Sequence, residues 1–187
     1  MKKSQLSTSG LSLLELLVSV SAIAVVSTLM AQVFFTTTKV NRTTIRTQDI
    51  KQNGDYALEV ITRMVRNSHE FTYTCDPSQT KSETVSFVNP DLNSTTITCE
   101  SNGGTARIAS VSADGTTKAY LTGTTVTLSA SGGSTCTDST LAFSCDPVTS
   151  SGALTVSYTL TAIGAGVNPE APEKLSFTTS VNSRNLK

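Results

Sequence analysis

A single carboxylate, Glu15, lies inside an apolar segment near the start of the sequence. It is the side chain there best suited to do chemistry. The 25 residues from Leu11 to Phe35 contain no other ionisable side chain. Inside a bilayer an acidic group costs on the order of 2.5 to 3.5 kcal/mol on insertion scales. Glu15 therefore needs a partner or a function, unless it lies close enough to the membrane surface to be hydrated.

A glycine, Gly10, immediately precedes this apolar segment. Cleavage of the chain after Gly10 would give Leu11 a free α-ammonium group four residues before Glu15. A like subunit packed alongside would then bring an amine and a carboxylate together in a low dielectric. Such an ion pair favours correct register between subunits and penalises misregister.

The apolar segment itself is long enough to cross a membrane. At 1.5 Å per residue, a helix over residues 11–35 is roughly 37 Å long, against a bilayer core of about 30 Å. A conventional signal peptide cleaved after Ala24 or Ala31 is an alternative, but the apolar run continues past both sites and exceeds the roughly 7 to 15 residues that such a peptide needs. A plain single-pass anchor is a further alternative, which leaves the glycine and the carboxylate unexplained.

Together these residues resemble the prepilin-type leader of type IV pilins and type II secretion pseudopilins. The resemblance implies that Lys2 and Lys3 belong to the basic cytoplasmic leader and that Gly10 is the glycine recognised by prepilin peptidase. Leu11 becomes the N-methylated first residue of the mature chain, and Glu15 matches the glutamate near its start. The family usually has Phe at the first mature position, so Leu11 is a departure from its pattern.

The resemblance implies a structural subunit rather than an enzyme. Segments 57–66 and 176–185 are similar to minor pilins of the W type and to J-type pseudopilins. The implied partners are prepilin peptidase, other pilin or pseudopilin subunits, the inner-membrane assembly platform and membrane lipid. We expect a minor pilin of a type IV pilus; the alternatives are a pseudopilin of a type II secretion system and a membrane-anchored adhesin-like or DNA-uptake binding module.

Four regions are expected: a leader peptide at 1–10, a transmembrane or filament-core helix at 11–35, an amphipathic continuation at 36–68 and an extracytoplasmic β-rich domain at 69–187. Apolar residues at helical spacing predict the continuation, and Gly54 is expected to bend or locally melt it. The residues with this spacing are Val40, Ile45, Ile50, Ala57, Leu58, Ile61, Met64 and Val65.

Short runs rich in Thr, Val, Tyr and Phe follow residue 70 and predict strands. Alternation over residues 154–160 predicts one buried face made of Leu154, Val156, Tyr158 and Leu160. A helix followed by antiparallel strands predicts an α+β fold, which is also the pilin fold that the resemblance implies. The predicted strands are 71–74, 84–88, 95–99, 107–111, 118–121, 124–129, 154–161 and 174–181.

Four cysteines, Cys75, Cys99, Cys136 and Cys145, all follow the apolar segment, at spacings typical of neither a redox pair nor a zinc ribbon. They indicate disulfides in an oxidising compartment outside the inner membrane. Of three possible connectivities, bridges 75–99 and 136–145 are favoured because both close local loops. The basic residues at 39, 42 and 46 argue for the opposite orientation by the positive-inside rule. The C-terminal domain is nevertheless expected outside, because the cysteines and the leader agree and because Asp49 and Asp55 partly balance these basic residues.

The composition argues against several functions. Without residues 1–10 the chain has 12 basic against 14 acidic residues, so no nucleic-acid partner is predicted. His69 is the only histidine and lies where the helix should end, which is typical of a surface or capping residue. No cofactor is expected; the alternative is calcium at the loop carboxylates Asp138, Asp146, Glu170 and Glu173.

Overall fold

The computed structural model describes residues 12–68, 70–71, 82–130, 132–146, 153–164 and 173–182. The fold is α+β, with one long N-terminal helix and two antiparallel sheets. The chain divides into two compact units, Met1–Thr43 and Thr44–Lys187, and each is described by itself below. Helix α1 spans Leu13–Asn67, close to the predicted 11–68.

Local hydrogen bonds are present at both ends of α1. The Ser12 carbonyl accepts the Leu16 N–H at 3.1 Å. At the other end, the Ser68 hydroxyl donates to the Val65 carbonyl at 2.7 Å. Arg66 lies in the last turn, where a cation complements the helix dipole.

The strands are β1 Glu70–Phe71, β2 Val85–Val88, β3 Ser94–Asn102, β4 Thr105–Ser112, β5 Lys118–Tyr120, β6 Val126–Thr127, β7 Ala142–Asp146, β8 Ala153–Ala162 and β9 Lys174–Val181. The first sheet has five antiparallel strands, β1 to β5, in the same order as in the sequence. The second sheet is built around β8, which pairs with β9 along one edge and with β7 and β6 along the other.

Each predicted strand has a counterpart, although residues 72–74 of the first lie outside the described residues. Strand β7 was missed, because it is short and only Phe143 within it is a large apolar residue. Its pairing with β8 and a bridge from Phe143 to Ser82 define it as a strand. The bridge to Ser82 joins positions that lie far apart in the sequence, and local patterns do not contain such a contact.

The core of the second unit lies between the C-terminal part of α1 and the sheets. The predicted alternation in β8 is confirmed, since all four of its apolar side chains are buried. The predicted helix face is only partly right, because Val40 and Ile45 are 59% and 56% exposed. The buried helix residues are Ile50, Gly54, Ala57, Ile61 and Val65.

The favoured disulfide pairing is wrong. Cys99 in β3 is bonded to Cys136, which begins a short 3-10 turn at Cys136–Asp138. This bond excludes both favoured bridges. The expectation failed because it assumed local loops, whereas the fold places the turn against β3 across a sequence separation of 37. Cys75 lies outside the described residues, and Cys145 belongs to β7.

Candidate assembly helix

The apolar side chains in the N-terminal part of α1 are exposed on all sides of the helix. Its most apolar window has a mean hydropathy of 2.2 and is not buried. Among the described helices, α1 is long and apolar enough to cross a membrane. The exposed large apolar side chains in this part are Leu13, Leu14, Leu16, Leu17, Val18, Val20, Ile23, Val25, Val26, Leu29, Met30, Val33, Phe34 and Phe35.

Several hydroxyl side chains within this apolar part bond to the carbonyls of the preceding turn. Ser19 donates to the Glu15 carbonyl at 2.7 Å, and Ser21 donates to the Val18 carbonyl at 2.8 Å. Thr28, Thr36 and Thr38 do the same, at 2.8 to 2.9 Å. Because hydrocarbon offers no hydrogen-bond partners, such internal bonds lower the cost of placing hydroxyls in a bilayer.

One stripe of this surface forms a shallow apolar depression along the helix. Its members recur every three or four residues, so they share one face. A stripe of this kind suits packing against a second apolar helix or against lipid. The lining residues are Val26, Leu29, Met30, Val33, Phe34 and Thr37.

Glu15 lies in the first turn of α1 and is exposed. An acidic side chain at this position complements the positive end of the helix dipole. Within the part of the chain that the structure describes, no cation is paired with its carboxylate. The predicted processing residues, Gly10 and Leu11, lie outside the described residues, so their roles stay predictions, as does the assembly role of Glu15.

The C-terminal part of α1 packs closely on the second sheet at Gly54. The Phe177 ring of β9 occupies the space where a side chain at position 54 would begin. This ring stacks on Tyr158 of β8, with centroids 5.4 Å apart, and the Tyr158 hydroxyl donates to the Gly54 carbonyl at 2.7 Å. The local melting predicted at Gly54 is wrong, because the helix is uninterrupted there, whereas the bend stays a prediction. The glycine permits the close packing.

Burial is the largest cause that raises the pKa of Tyr158, and the negative charge of Asp55 acts in the same direction. The phenol therefore stays protonated and can donate to the helix backbone. This hydrogen bond joins α1 to β8 beneath the close contact at Gly54.

A second attachment joins α1 to the loop between β5 and β6. The Gly123 N–H donates to Asn53 Oδ1 at 2.6 Å, and the Thr125 hydroxyl donates to Asp49 Oδ2 at 2.5 Å. Asn53 also donates to the carbonyl and to Oδ1 of Asp49, at 2.9 and 3.2 Å. These bonds fix the side chains of two helix residues one turn apart and hold the loop against the helix.

Sequence reasoning missed both attachments. A glycine inside a helix costs about 1 kcal/mol relative to alanine, which is a signal that it has a packing role. That signal was available at Gly54 but was interpreted as a bend. No comparable signal identifies Asn53, because its partner amide is 70 residues away.

The carboxylates considered for calcium have other partners where they are described. Asp138 accepts a hydrogen bond from Ser129 at 2.8 Å, and Glu173 pairs with Arg46 at 3.5 Å. Within the described segments, no three His, Cys, Asp or Glu side chains are grouped so that they could hold a metal ion. Glu170, His69 and the side chain of Asp146 lie outside the description, so the calcium hypothesis is not tested there.

Two charged groups of the first sheet, Asp114 and Lys118, have pKa values that neighbouring side chains shift. Hydrogen bonds from Ser112 and then Thr116 lower the pKa of Asp114 in the β4–β5 turn. The Glu100 carboxylate beside Lys118 raises the pKa of that amine. The first contact lies within the β4–β5 turn, and the second joins β5 to β3 across the intervening strand β4.

Comparison with known proteins gave no match: no family model fits the sequence, and no curated protein or solved structure is significantly similar to the chain.

Proposed function

We propose that this protein is a prepilin-like structural subunit, cleaved after Gly10 and assembled through its N-terminal helix into a type IV pilus. The observation that carries the proposal is the composition of α1. Its N-terminal part is apolar, exposed and interrupted by one carboxylate, while its C-terminal part is built into a β domain. A filament subunit uses such a helix first as a membrane anchor and then as filament core.

In this proposal Glu15 sets the register between subunits. Cleavage creates an ammonium group on Leu11, which the carboxylate of a neighbouring subunit neutralises in the low dielectric of the packed helices. A charge buried without its partner is strongly unfavourable, so a subunit in the wrong register is rejected. The folded β domain stays outside the bilayer, where the Cys99–Cys136 bond persists under oxidising conditions.

The first experiment identifies the N-terminus by mass spectrometry, in membranes and in material sheared from the cell surface. We expect an N-methylated Leu11 in both fractions. A mature chain confined to the membrane and periplasm would instead support the pseudopilin alternative. A retained Met1, or a start after Ala24 or Ala31, would refute prepilin processing.

The second experiment separates assembly from processing. Glu15→Ala should be cleaved normally but should be lost from the sheared fraction. Gln32→Ala is the matched control, because it removes another polar side chain from the same apolar segment, and it should assemble like the natural protein. Normal surface assembly of Glu15→Ala, with a ligand-binding activity retained by the β domain, would favour the anchored binding module instead.

A further inference from the structure

Strand β9 is eight residues long and, among the described strands, pairs only with β8. An edge strand presents unpaired N–H and C=O groups that can bind another chain. Proteins block such edges with proline, bulges or charges, but β9 has no proline and pairs with β8 without a bulge. Its one charged residue, Lys174, is at its first position.

Hydrogen bonds determine which residues of β9 direct their backbone groups toward the free edge. The Ala162 N–H donates to the Glu173 carbonyl at 2.8 Å, so even-numbered residues of β8 point toward β9. The Thr159 N–H donates to Thr140 at 3.0 Å on the opposite side of β8, so odd-numbered residues point away from β9. Thr159 lies opposite Ser176, whose own backbone groups therefore point outward. The outward-directed residues of β9 are Lys174, Ser176, Thr178 and Ser180.

The side chains of these four residues are exposed and, apart from Lys174, carry only hydroxyls. Ser176 is hydrogen-bonded to Thr159 at 2.9 Å, and Ser180 to Thr155 at 2.8 Å. The outer face of β8 and β9 therefore carries a ladder of cross-strand hydroxyl pairs. Such pairs stabilise neighbouring strands and can be repeated on an added strand.

We propose that β9 binds β9 of a second copy of this chain, antiparallel, with Thr178 opposite its own counterpart on a twofold axis. In this register Ser176 faces Ser180 of the second copy, and Lys174 faces Asn182 of the second copy. No like charges meet, and the hydroxyl ladder continues across the contact. A twofold contact uses the same surface on both subunits, which a self-complementary strand provides.

The choice of a second copy rests on this self-complementarity. A foreign strand is recognised by pockets or charges beside the edge, whereas the exposed face beside β9 offers hydroxyl groups and one terminal lysine. The contact goes beyond pilus assembly as proposed above, since it does not require cleavage after Gly10. It is therefore tested on the uncleaved full chain, independently of processing.

The first test is cross-linking of the full chain in mild detergent. In Thr178→Cys the two Cα atoms of the paired copies would be about 5.5 Å apart, within the range for a disulfide. We expect a covalent dimer on a non-reducing gel after mild oxidation. The control is Ser157→Cys, on the same face but one strand further from the edge, where the two cysteines would be roughly 14 Å apart. It should not form a dimer.

The second test uses charge at the same exposed position, where substitution leaves the core intact. Thr178→Lys and Thr178→Glu should each weaken self-association by about fivefold, because like charges then face each other. An equal mixture of the two variants should restore it. Equal cross-linking of the 178 and 157 variants, or no effect of charge, would overturn the proposal. So would protection of the Ser176 and Thr178 amides from hydrogen exchange in a dilute monomer, since the chain itself would then cover the edge.

Discussion

Replacing Gly54 with alanine tests the packing of α1 against the second sheet. On helix propensity alone, Gly54→Ala should stabilise the protein, since alanine is better than glycine inside a helix by about 1 kcal/mol. The structure predicts the opposite. The new methyl group would overlap the Phe177 ring, at distances well inside the 3.0 Å below which a neighbouring group must move.

The expected size follows from what must move. Phe177 is buried and stacked on Tyr158, so the ring has little room to rotate away. Overpacking of a filled core costs about 1 to 3 kcal/mol, and loss of an aromatic pair removes about 0.5 to 1.5 kcal/mol more. After subtraction of the propensity gain of about 1 kcal/mol, we expect a net loss of about 0.5 to 3.5 kcal/mol in the free energy of unfolding.

The assay is thermal unfolding of the full chain in mild detergent, followed by near-ultraviolet circular dichroism. This signal reports on tyrosine packing in the β domain, because the chain has no tryptophan. Gln52→Ala is the control. It changes an exposed residue of the same helix and should alter the free energy of unfolding by less than about 0.5 kcal/mol.

A double mutant identifies the cause of the loss. Phe177→Leu removes the ring atoms that the new methyl group would meet, so Gly54→Ala should cost less in that background than in the natural chain. The coupling should be about 1 kcal/mol in favour of the double mutant. If Gly54→Ala instead raised stability by about 1 kcal/mol, as propensity alone predicts, the close packing described at this position would be refuted.

Three further predictions concern the β domain. Burial raises the pKa of Tyr158, so the folded state holds this proton more tightly than the unfolded state does. The free energy of unfolding should therefore be unaffected by this group below about pH 10 and should fall as the pH rises further. In unfolding measured from about pH 8 to 11, Tyr158→Phe should reduce this alkaline loss, and Tyr56→Phe, at an exposed tyrosine, should retain it. Non-reducing peptide mapping should find Cys99 joined to Cys136, and recovery of a disulfide-linked 75–99 peptide would contradict the fold. Replacing both cysteines by serine should lower the free energy of unfolding by about 4 kcal/mol in the chain-entropy model. Asn53→Ala should cost about 1 to 3 kcal/mol in chemical unfolding, because it removes the acceptor for a loop amide, and an unchanged midpoint would show that water replaces the side chain.

Much of the fold could be predicted because its signals are local. The apolar run, the helical spacing and the alternation in β8 are each visible within a short window of sequence, and each corresponds to an element. The candidate assembly helix could be predicted for the same reason, since its uniform apolar surface requires no tertiary contact. Strand β7 has too few apolar residues to be recognised without its partner strand.

Residue type and periodicity along the chain were enough to predict the class of the fold, the membrane-compatible helix and the position of its single carboxylate. Three features became visible only in the folded molecule: the buried helix face begins at Ile50, Gly54 accommodates Phe177 and Cys99 bonds Cys136. These features join residues that lie far apart in the sequence. These contacts depend on which surfaces pack together when the helix lies on the sheets, and no periodic pattern in the sequence records that packing.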